Sequence, residues 1–324
     1  MTNRRPSMGD VAALAGVSAQ TVSRVVNGSP RVDPATRERV EAALAQSGYR
    51  VHRAARMLRT GRSGTIGVVV ATLATAGNSL MLEAVAQAAA ARGHDIAMVT
   101  LGDGTAEAAF ERLRDQGVDG VVVVNEAAAA ARAGTFPAGV RFVLVDAPAD
   151  DRYAVVETDH AAGAALATRH LLDLGHRTVA HVAGPQTSSA ALARERGWRG
   201  TLHAAGAPVP EPVRGAWTAA SGHDAAVALL TRDPGTTAVF VANDQMALGV
   251  LRALAEHGRR VPEDVSVVGF DDIADAADYR PPLTTLRQHF DRLAHAAVTA
   301  LLDGGPAHTV VPATFVARAS TARA

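Results

Sequence analysis

The sequence predicts an all-α helix-turn-helix headpiece joined to a larger α/β core of two doubly wound subdomains. The first 50 residues contain three apolar patterns with helical spacing, bounded by capping or terminating residues. From Thr65 onward, short apolar segments alternate with helical stretches, as in a parallel sheet covered by helices. The alternation starts again near Thr178, which predicts a second sheet of the same kind.

The first two helices are defined by local signals on either side of a tight turn. Ser7 and Asp10 form a capping-box pattern that begins the first helix, and Gly16 ends it. Ser18 caps the second helix. The residues predicted to face inward from that helix are Val22, Val25 and Val26, and those predicted to face outward are Ala19, Gln20, Ser23 and Arg24.

The third helix has the clearest signals of the headpiece. Asp33 is placed as its cap, Pro34 occupies the first helical position, and Gly48 follows the last helical residue. Val40 and Leu44 are spaced to face inward. Three helices with two flanking a turn form an arrangement whose second helix fits the major groove of DNA.

The charge distribution supports nucleic-acid binding by the headpiece. Residues 1–62 contain 11 arginines and four acidic residues, whereas the remainder contains 21 arginines and 28 acidic residues, with no lysine anywhere. A basic module joined to an acidic one is typical of a nucleic-acid-binding protein with a separate second task. Gln20 and Arg24 can each make two hydrogen bonds to a purine, while Thr21, Ser23 and Asn27 are placed for phosphates. Periodicity alone leaves open a helical module that binds protein.

Polar residues follow several predicted strands of the core, where doubly wound sheets bind ligands. These residues are Asn125, Asp146, Asn243, Asp244, Asp271 and Asp272. Planar carboxylate, amide and guanidinium groups hold adjacent hydroxyls in pairs, so the pattern predicts a carbohydrate site. Each residue alone also fits a cap or turn role. Asp271 with Asp272 also fits a metal or acid/base pair, although neighbouring residues at a strand end point apart.

Composition and missing motifs exclude several classes of protein. The chain has no cysteine, no apolar stretch long enough to span a bilayer and no apolar signal core, so we expect a cytoplasmic protein without a membrane partner. No GxSxG elbow, phosphate loop or HExxH motif is present, so we expect neither an enzyme nor a cofactor. A sugar-binding transport receptor would explain the core, but it would need a signal peptide and would have no use for the headpiece.

Longer motifs resemble those of the LacI/GalR family of transcriptional regulators across nearly the whole chain. The headpiece carries DVAALAGVSAQTVSRVVNG and TRERVEAALAQSGY, and the core carries VAGP, ERGW, VANDQMALG, VSVVGFDD and YRPPLTTLRQHF. The resemblance implies a periplasmic-binding-protein-like core, a homodimer, a near-palindromic double-stranded operator and a small sugar effector. It divides the chain into a DNA-binding domain (1–50), a hinge (51–63) and a core (64–324), with an N-subdomain (64–157 and 288–306) and a C-subdomain (158–287 and 307–324).

The resemblance also assigns site residues. Those implied to contact DNA are Ser18, Ala19, Gln20, Thr21, Ser23, Arg24, Asn27, His52, Arg53, Ala55 and Leu58, the last as a wedge in the minor groove. From the hinge pattern alone, an ordinary linker helix is equally acceptable. Those implied to bind the effector are Asn125, Asp146, Arg194, Trp217, Asn243, Asp271, Gln288 and Phe290, with the two aromatic rings as stacking walls. Trp198 is predicted to be part of the core instead.

The implied function is repression of carbohydrate-utilisation genes, relieved by a sugar that resembles a galactoside. Two departures from the family pattern loosen that choice of sugar. Glu157 stands where the resemblance implies an aromatic residue, and the stretch ATLATAGNS lacks the apolar residues that the resemblance implies for the aglycone side of the site. A co-repressor-dependent regulator and an activator are the alternatives within the family. No leucine heptad follows the last strand, so a dimer is expected rather than a tetramer.

Overall fold

A computed structural model of the protein describes residues 6–26, 29–49, 62–102, 104–133 and 139–324. The chain divides into two compact units, Met1–Ser63 and Gly64–Ala324. Each unit is built around its own hydrophobic core.

The first unit contains three helices, α1 (Met8–Ala15), α2 (Ala19–Val26) and α3 (Pro34–Ser47). The predicted capping box is present, since the backbone N–H of Ser7 donates to the Asp10 carboxylate at 2.7 Å. The Asp33 carboxylate accepts from the backbone N–H of Thr36 at 2.9 Å and caps α3. Gly16 and Gly48 end α1 and α3 in the left-handed conformation, as predicted.

A small apolar core holds these helices together. Val11, Val22 and Val40 come from the three helices and are completely buried. Leu44 packs against this core while half-buried. Because α2 directs its valines inward, its opposite face is left at the surface.

The second unit begins with a subdomain built on a parallel sheet. Its elements are β1 (Thr65–Val70), α4 (Ala76–Ala91), β2 (Asp95–Thr100), α5 (Ala106–Asp115), β3 (Gly120–Val124), α6 (Glu126–Ala133), β4 (Phe142–Val145), β5 (Ala154–Thr158), α11 (Phe290–Asp303) and β11 (His308–Val311). The strand order is β11-β5-β4-β3-β1-β2, and every pair is parallel. The central strands are buried, as expected for a sheet covered on both faces.

The second subdomain repeats this architecture. Its elements are α7 (His160–Asp173), β6 (Ala180–Ala183), α8 (Ser189–Ala204), β7 (Val213–Arg214), α9 (Ala219–Arg232), β8 (Ala238–Val241), α10 (Asp244–Glu256), β9 (Ser266–Val268), β10 (Thr285–Arg287) and β12 (Thr314–Val316). The parallel sheet has the order β7-β6-β8-β9, and β10 pairs with β12 as an antiparallel ribbon. Trp198 is completely buried here, and its indole N–H donates to the carbonyl of Val179 at 2.9 Å, in agreement with its predicted core role.

One predicted boundary between the subdomains is wrong. Residues from 307 onward were assigned to the C-subdomain, but β11 pairs with β5 in the first sheet, with His308 opposite Val155. The backbone N–H of Asp159 also donates to the carbonyl of Val311 at 2.9 Å. β11 covers an edge of β5 that would otherwise leave backbone groups unpaired. The chain therefore returns to the second subdomain only after Val311.

Candidate functional site

The predicted DNA-reading side chains lie on the exposed face of α2. Ala19, Gln20 and Arg24 are exposed, whereas Thr21 and Ser23 are half-buried. The Ser18 hydroxyl accepts from the backbone N–H of Thr21 at 3.1 Å and thus caps the helix. This capping bond fixes the start of α2 and leaves Gln20 and Arg24 available for base edges.

Five predicted DNA contacts fall outside the described residues. They are Asn27, His52, Arg53, Ala55 and Leu58. Their roles remain the predictions that the family resemblance supports.

In the second unit, all eight predicted effector residues line one cavity of about 410 Å³, counted with its solvent-open mouth. Six further lining residues were not predicted: Thr75, Gly77, Asn78, Glu126, Ser188 and Ala190. Glu126 directly follows a predicted ligand and a strand end, which is the signal that could have identified it.

The cavity lies at the carboxyl ends of strands from both sheets, where the backbone adopts unusual conformations. Asn125, Asp146, Trp217 and Asp271 have φ of 52°, 51°, 68° and 119°. Within the described residues, the only other non-glycine residue with positive φ is Asp272, at 56°. Asn and Asp tolerate this region, but a bulky tryptophan rarely adopts it. Backbone strain concentrated in this way is characteristic of binding sites.

Five polar residues that line the cavity are almost completely buried, and we call them the inner group: Asp146, Arg194, Asn243, Asp271 and Gln288. Each of these residues is at most 7% exposed. Arg194 lies 3.4 Å from Asp271 through Nη2 and Oδ1, and Gln288 donates to the same carboxylate oxygen at 2.7 Å. The Arg194 guanidinium also lies 3.8 Å from the centre of the Phe270 ring, a cation–π contact. These contacts hold the arginine and the carboxylate in fixed positions for a ligand.

His160, which the sequence analysis did not identify, connects Asp146 to Arg194. Nε of Arg194 donates to Nδ1 of His160 at 3.3 Å, and Nε2 of His160 lies 3.1 Å from Oδ1 of Asp146. Because a guanidinium only donates, Nδ1 of His160 accepts this bond, which leaves Nε2 as the ring nitrogen that approaches Asp146. His160 is the first residue of α7, so its direction depends on where that helix begins.

The two carboxyl groups of the inner group titrate differently. Burial raises the pKa of Asp271 above its ordinary value, although Arg194 and the hydrogen bond from Gln288 oppose this. Burial also acts to raise the pKa of Asp146, but His160 and the backbone N–H of Thr158 outweigh it and leave the pKa below its ordinary value. Asp146 is therefore the more firmly ionised acceptor.

The side chain of Asp244 holds the loop that carries Asp271 in place. One carboxylate oxygen of Asp244 accepts from the Thr285 hydroxyl at 2.6 Å, and the other accepts from the backbone N–H of Ile273 at 3.0 Å. Burial, reinforced by the charge of Asp271, raises the pKa of Asp244 well above its ordinary value. Asp244 thus positions the loop rather than facing the cavity.

Asp272 points away from Asp271, as neighbouring strand-end residues were expected to do. It accepts from Arg287 at 2.6 Å and from Arg318 at 2.5 Å. The two aspartates therefore form separate ion pairs instead of one metal or acid/base pair. Within the described chain, no group of three or more His, Asp or Glu residues is arranged to hold a metal ion.

At the mouth of the cavity lies a second set, which we call the outer group: Thr75, Asn125 and Glu126, all half-buried. The indole N–H of Trp217 donates to Oε1 of Glu126 at 3.0 Å. The Asn125 amide donates to the buried side chain of Asn78. The side-chain amide of Asn243 donates to the backbone carbonyl of Trp217 at 3.2 Å, so Trp217 connects the inner and outer groups.

Glu157, one of the two departures that loosen the choice of sugar, is not among the residues that line the cavity. Its carboxylate accepts from Nε2 of His308 on the neighbouring strand at 2.7 Å. Side chains alternate along a strand, so the next residue, Thr158, faces the site instead. The Thr158 hydroxyl donates to Oε1 of Gln288 at 2.8 Å and thereby supports the inner group.

This arrangement suits a polyhydroxylated ring. Carboxylates accept from hydroxyls, while the Arg194 guanidinium and the Gln288 and Asn243 amides can donate to them. Trp217 and Phe290 line the same cavity and supply apolar surface for the faces of a ring. Such a combination of planar polar groups and aromatic walls is the chemistry of carbohydrate recognition.

Comparison with known proteins places both units. Residues 7–51 match the family described as bacterial regulatory proteins, lacI family, and residues 168–321 match the periplasmic binding protein-like domain. The HTH-type transcriptional regulator CelR of Thermobifida fusca is 38% identical, with 97% of this chain and 96% of that protein covered. The lactose operon repressor of Escherichia coli strain K12 is 36% identical, with coverage of 96% and 89%.

Solved structures agree with these relationships. The lac repressor dimer bound to operator and the anti-inducer ONPF matches with a TM-score of 0.87 at 34% identity, over 98% of this chain and 100% of that one. The CelR–cellobiose complex matches with a TM-score of 0.72 at 35% identity, with the same coverage. Of the helices in the described residues, none combines the length and apolar character needed to cross a membrane.

Proposed function

The chain belongs to the lacI family of bacterial regulatory proteins, and on that premise we propose that it represses transcription by binding operator DNA until a sugar occupies the core cavity. The observation that carries the proposal is the convergence of all eight predicted effector residues on one cavity. Chance placement at strand ends would not bring charged groups and aromatic walls from two subdomains together around one space.

Operator recognition is assigned to α2. Its amino-terminal side chains Gln20 and Arg24 would read base edges, while Ser18, Ala19, Thr21, Ser23 and Asn27 would fix its position against the DNA. We further propose that the hinge residues His52, Arg53, Ala55 and Leu58 contact the minor groove, with Leu58 as an apolar wedge.

The protein is proposed to act as a homodimer on a near-palindromic operator. A two-fold dimer presents two copies of α2 to two half-sites, so the symmetry of the DNA mirrors that of the protein. The similarity to a lac repressor dimer bound to operator supports this assembly.

Sugar control is proposed to work through thermodynamic linkage. Operator favours one arrangement of the two core subdomains and sugar favours another, so each ligand weakens the binding of the other by the same factor. The contacts that would differ between the two arrangements are those that join the subdomains at the cavity, such as the approach of His160 to Asp146. Coupling of about 1–3 kcal/mol is typical of such systems.

The effector is proposed to be a small saccharide, with a galactoside as the first choice. Related proteins include regulators named for lactose and ribose operons and one solved with cellobiose, so the family accommodates different sugars. The alternative within the family is a co-repressor-dependent regulator, in which sugar would strengthen operator binding.

A two-step experiment tests the proposal. The purified protein is screened for thermal stabilisation against a panel of mono- and disaccharides, since a ligand that binds the folded state raises its apparent stability. Any stabilising sugar is then added to a complex with an operator selected from random DNA. Release of DNA supports an inducible repressor, tighter binding supports the co-repressor alternative, and stabilisation by none of the sugars contradicts sugar control.

A further inference from the structure

We propose that Thr158 and His289 are positioning residues for the response to sugar, because they tie together the places where the chain crosses between the core subdomains. The inference rests on the proposed function, since it concerns how strongly sugar and operator oppose each other. Neither side chain is among the residues that line the cavity, and neither belongs to α2. The proposal therefore assigns part of this opposition to residues that contact neither ligand.

The chain passes between the two subdomains three times. The first crossing (158–160) joins β5 to α7, the second (287–290) joins β10 to α11, and the third (311–314) joins β11 to β12. A change in the angle between the subdomains must be absorbed by backbone rotation within such short connecting segments. A bond between two of the crossings therefore restricts that change.

Hydrogen bonds join the three crossings to one another. The Thr158 hydroxyl, in the first crossing, donates to Oε1 of Gln288, in the second, at 2.8 Å. Nε2 of His289, the next residue, is hydrogen-bonded to the Thr314 hydroxyl, in the third crossing, at 2.8 Å. The pairing of β11 with β5 joins the third crossing to the first through the backbone. We call Thr158, Gln288, His289 and Thr314 the crossing clamp.

His289 connects the cavity to the third crossing. It precedes α11 as the N-cap residue, yet its side chain makes no capping bond and reaches Thr314 instead. Its two neighbours, Gln288 and Phe290, both line the cavity. A ligand that moves either neighbour would therefore strain or break the bond from His289 to the third crossing.

Thr158 connects the cavity to the first crossing. Its side chain is buried, and its hydroxyl is committed to Gln288. Its backbone N–H donates to Oδ1 of Asp146 at 2.8 Å. Asp146 and Gln288 both line the cavity, so Thr158 is bonded to two of the residues that a ligand would contact.

A bond that one arrangement of the subdomains makes and the other lacks stabilises the first arrangement. The net contribution of a neutral hydrogen bond corresponds to roughly 2- to 10-fold in an equilibrium constant. Loss of a clamp bond should shift the equilibrium between the arrangements, and linkage then changes operator and sugar affinity in opposite directions. A residue that merely supports the fold would weaken both affinities or neither.

Distance measurements between the subdomains test the clamp without any ligand. The chain has no cysteine, so Glu107→Cys on α5 and Ala228→Cys on α9 provide two defined sites for spin labels in the full-length protein. Both positions are exposed. Labelled chains are kept a minor fraction among unlabelled ones, so that electron–electron resonance reports the distance within one chain. We expect loss of a clamp bond to broaden the distribution of distances.

The variants each remove one hydroxyl with little change in side-chain shape. Thr158→Val and Thr314→Val each break one clamp bond, and His289→Ala should reproduce the effect of Thr314→Val. Thr158→Ser and Thr314→Ser keep the hydroxyl and should restore the wild-type width. Thr178→Val is the matched control, because it removes a hydroxyl bond to the carbonyl of Pro208 at 2.7 Å, away from the crossings.

Affinities then show whether the clamp controls the response. Operator is titrated into each variant, and so is whichever of galactose, glucose, ribose, lactose and cellobiose stabilises the wild-type protein. We expect Thr158→Val and Thr314→Val to raise one affinity and lower the other, each by up to roughly 2- to 10-fold. Thr178→Val should change neither.

Two results would overturn the inference while leaving sugar control intact. One is a set of clamp variants whose distance distributions match that of Thr178→Val. The other is a set of clamp variants that lower both affinities together or leave both unchanged. If none of these saccharides binds, the proposed function is contradicted instead, and the distance distributions still decide whether the clamp restricts the subdomains.

Discussion

The indole N–H of Trp217, in the second core subdomain, donates a 3.0 Å hydrogen bond to Oε1 of Glu126, in the first. A second bond joins the same subdomains, since the side chain of Gln245 accepts from the backbone N–H of Ala76 at 2.7 Å. Any change in the angle between the subdomains must alter these bonds and the cavity beside them. A ligand in the cavity is therefore placed to influence the arrangement of the core.

Asp271→Asn should produce a repressor that binds operator but responds poorly to sugar. The change removes a buried acceptor charge beside Arg194, so we expect sugar affinity to fall by about tenfold or more. Operator affinity without sugar should change by less than about twofold. Both are measured by fluorescence anisotropy on labelled operator, with and without sugar.

The neighbouring Asp272→Asn is the matched control for this prediction. Its carboxylate bonds to Arg287 and Arg318 and not to the inner group. It should retain the normal sugar response. If the Asp271→Asn protein is released from operator at the same sugar concentrations as the wild type, Asp271 does not contribute to sugar binding.

Arg24→Ala should remove sequence preference in DNA binding. Arg24 is exposed on α2, and a two-pronged contact from arginine to guanine is worth about 1–3 kcal/mol of discrimination. The ratio of operator to random-DNA affinity should fall by roughly 5- to 150-fold, measured by anisotropy competition at one salt concentration.

Arg39→Ala controls for the loss of one positive charge. Arg39 is also exposed, but it lies on α3, where it donates to the Thr36 hydroxyl at 3.3 Å. The Arg39→Ala change should weaken binding to operator and to random DNA by similar factors, so the preference for operator should be unchanged. Equal preference in the Arg24→Ala and wild-type proteins would rule out α2 as the reading helix.

Acid should destabilise the core through His181. Burial lowers the pKa of this imidazole to about 4, from an ordinary value of 6.5, so the unfolded state takes up the proton first as the pH falls. Its contribution to stability is complete above about pH 6.5 and is lost progressively towards pH 4. The loss should reach about 3 kcal/mol, measured by urea unfolding at a series of pH values.

His181→Phe separates this effect from other titrating groups. His181 stacks on Phe240 with the rings 5° from parallel, so a phenyl ring keeps the packing while the titrating group is removed. The substitution removes the hydrogen bond between His181 and the Phe240 carbonyl, which lowers stability at every pH. The slope between pH 4 and 6.5 should become shallower, and an unchanged slope would refute the assignment to His181.

Two glycines on α8 should respond to alanine in opposite directions. A Cβ at Gly197 would overlap the backbone carbonyl of Ala161 on α7, whereas one at Gly200 would meet open space. Gly197→Ala should therefore lower the free energy of unfolding by about 3 kcal/mol or more, because the backbone must move to make room. Gly200→Ala should raise it by about 0.5–1 kcal/mol, because alanine favours the helix over glycine. Thermal unfolding of both variants checks this, and similar melting temperatures would contradict the close approach of α7 and α8.

Local signals were sufficient to predict much of this molecule. The Ser7 and Asp10 capping box, the Asp33 cap and the Gly48 terminator each depend on residues within one helical turn, so the sequence alone indicates them. Asn243 illustrates why polar residues at strand ends were ambiguous. It caps α10 by accepting from the backbone N–H of Met246 and also lines the cavity, so both of its possible roles are realised together.

What could not be predicted depends on residues that are distant in the chain. β11 joins the first sheet because the edge of β5 lies open to it, a property of the assembled sheet. The support that Thr158 gives to Gln288 could not be predicted, because the face of the sheet to which a strand residue points depends on the register of the strand with its neighbours. His160 and Glu126 acquire their roles only when Arg194 and Trp217 approach from another part of the fold.

The central claim is that sugar and operator oppose each other through the core, and reciprocal titration tests it most directly. Operator affinity is measured with and without saturating sugar, and sugar affinity is measured with and without saturating operator. We predict that sugar weakens operator binding by about 5- to 150-fold and that operator weakens sugar binding by the same factor. A sugar that binds the cavity yet leaves operator affinity unchanged would contradict the account.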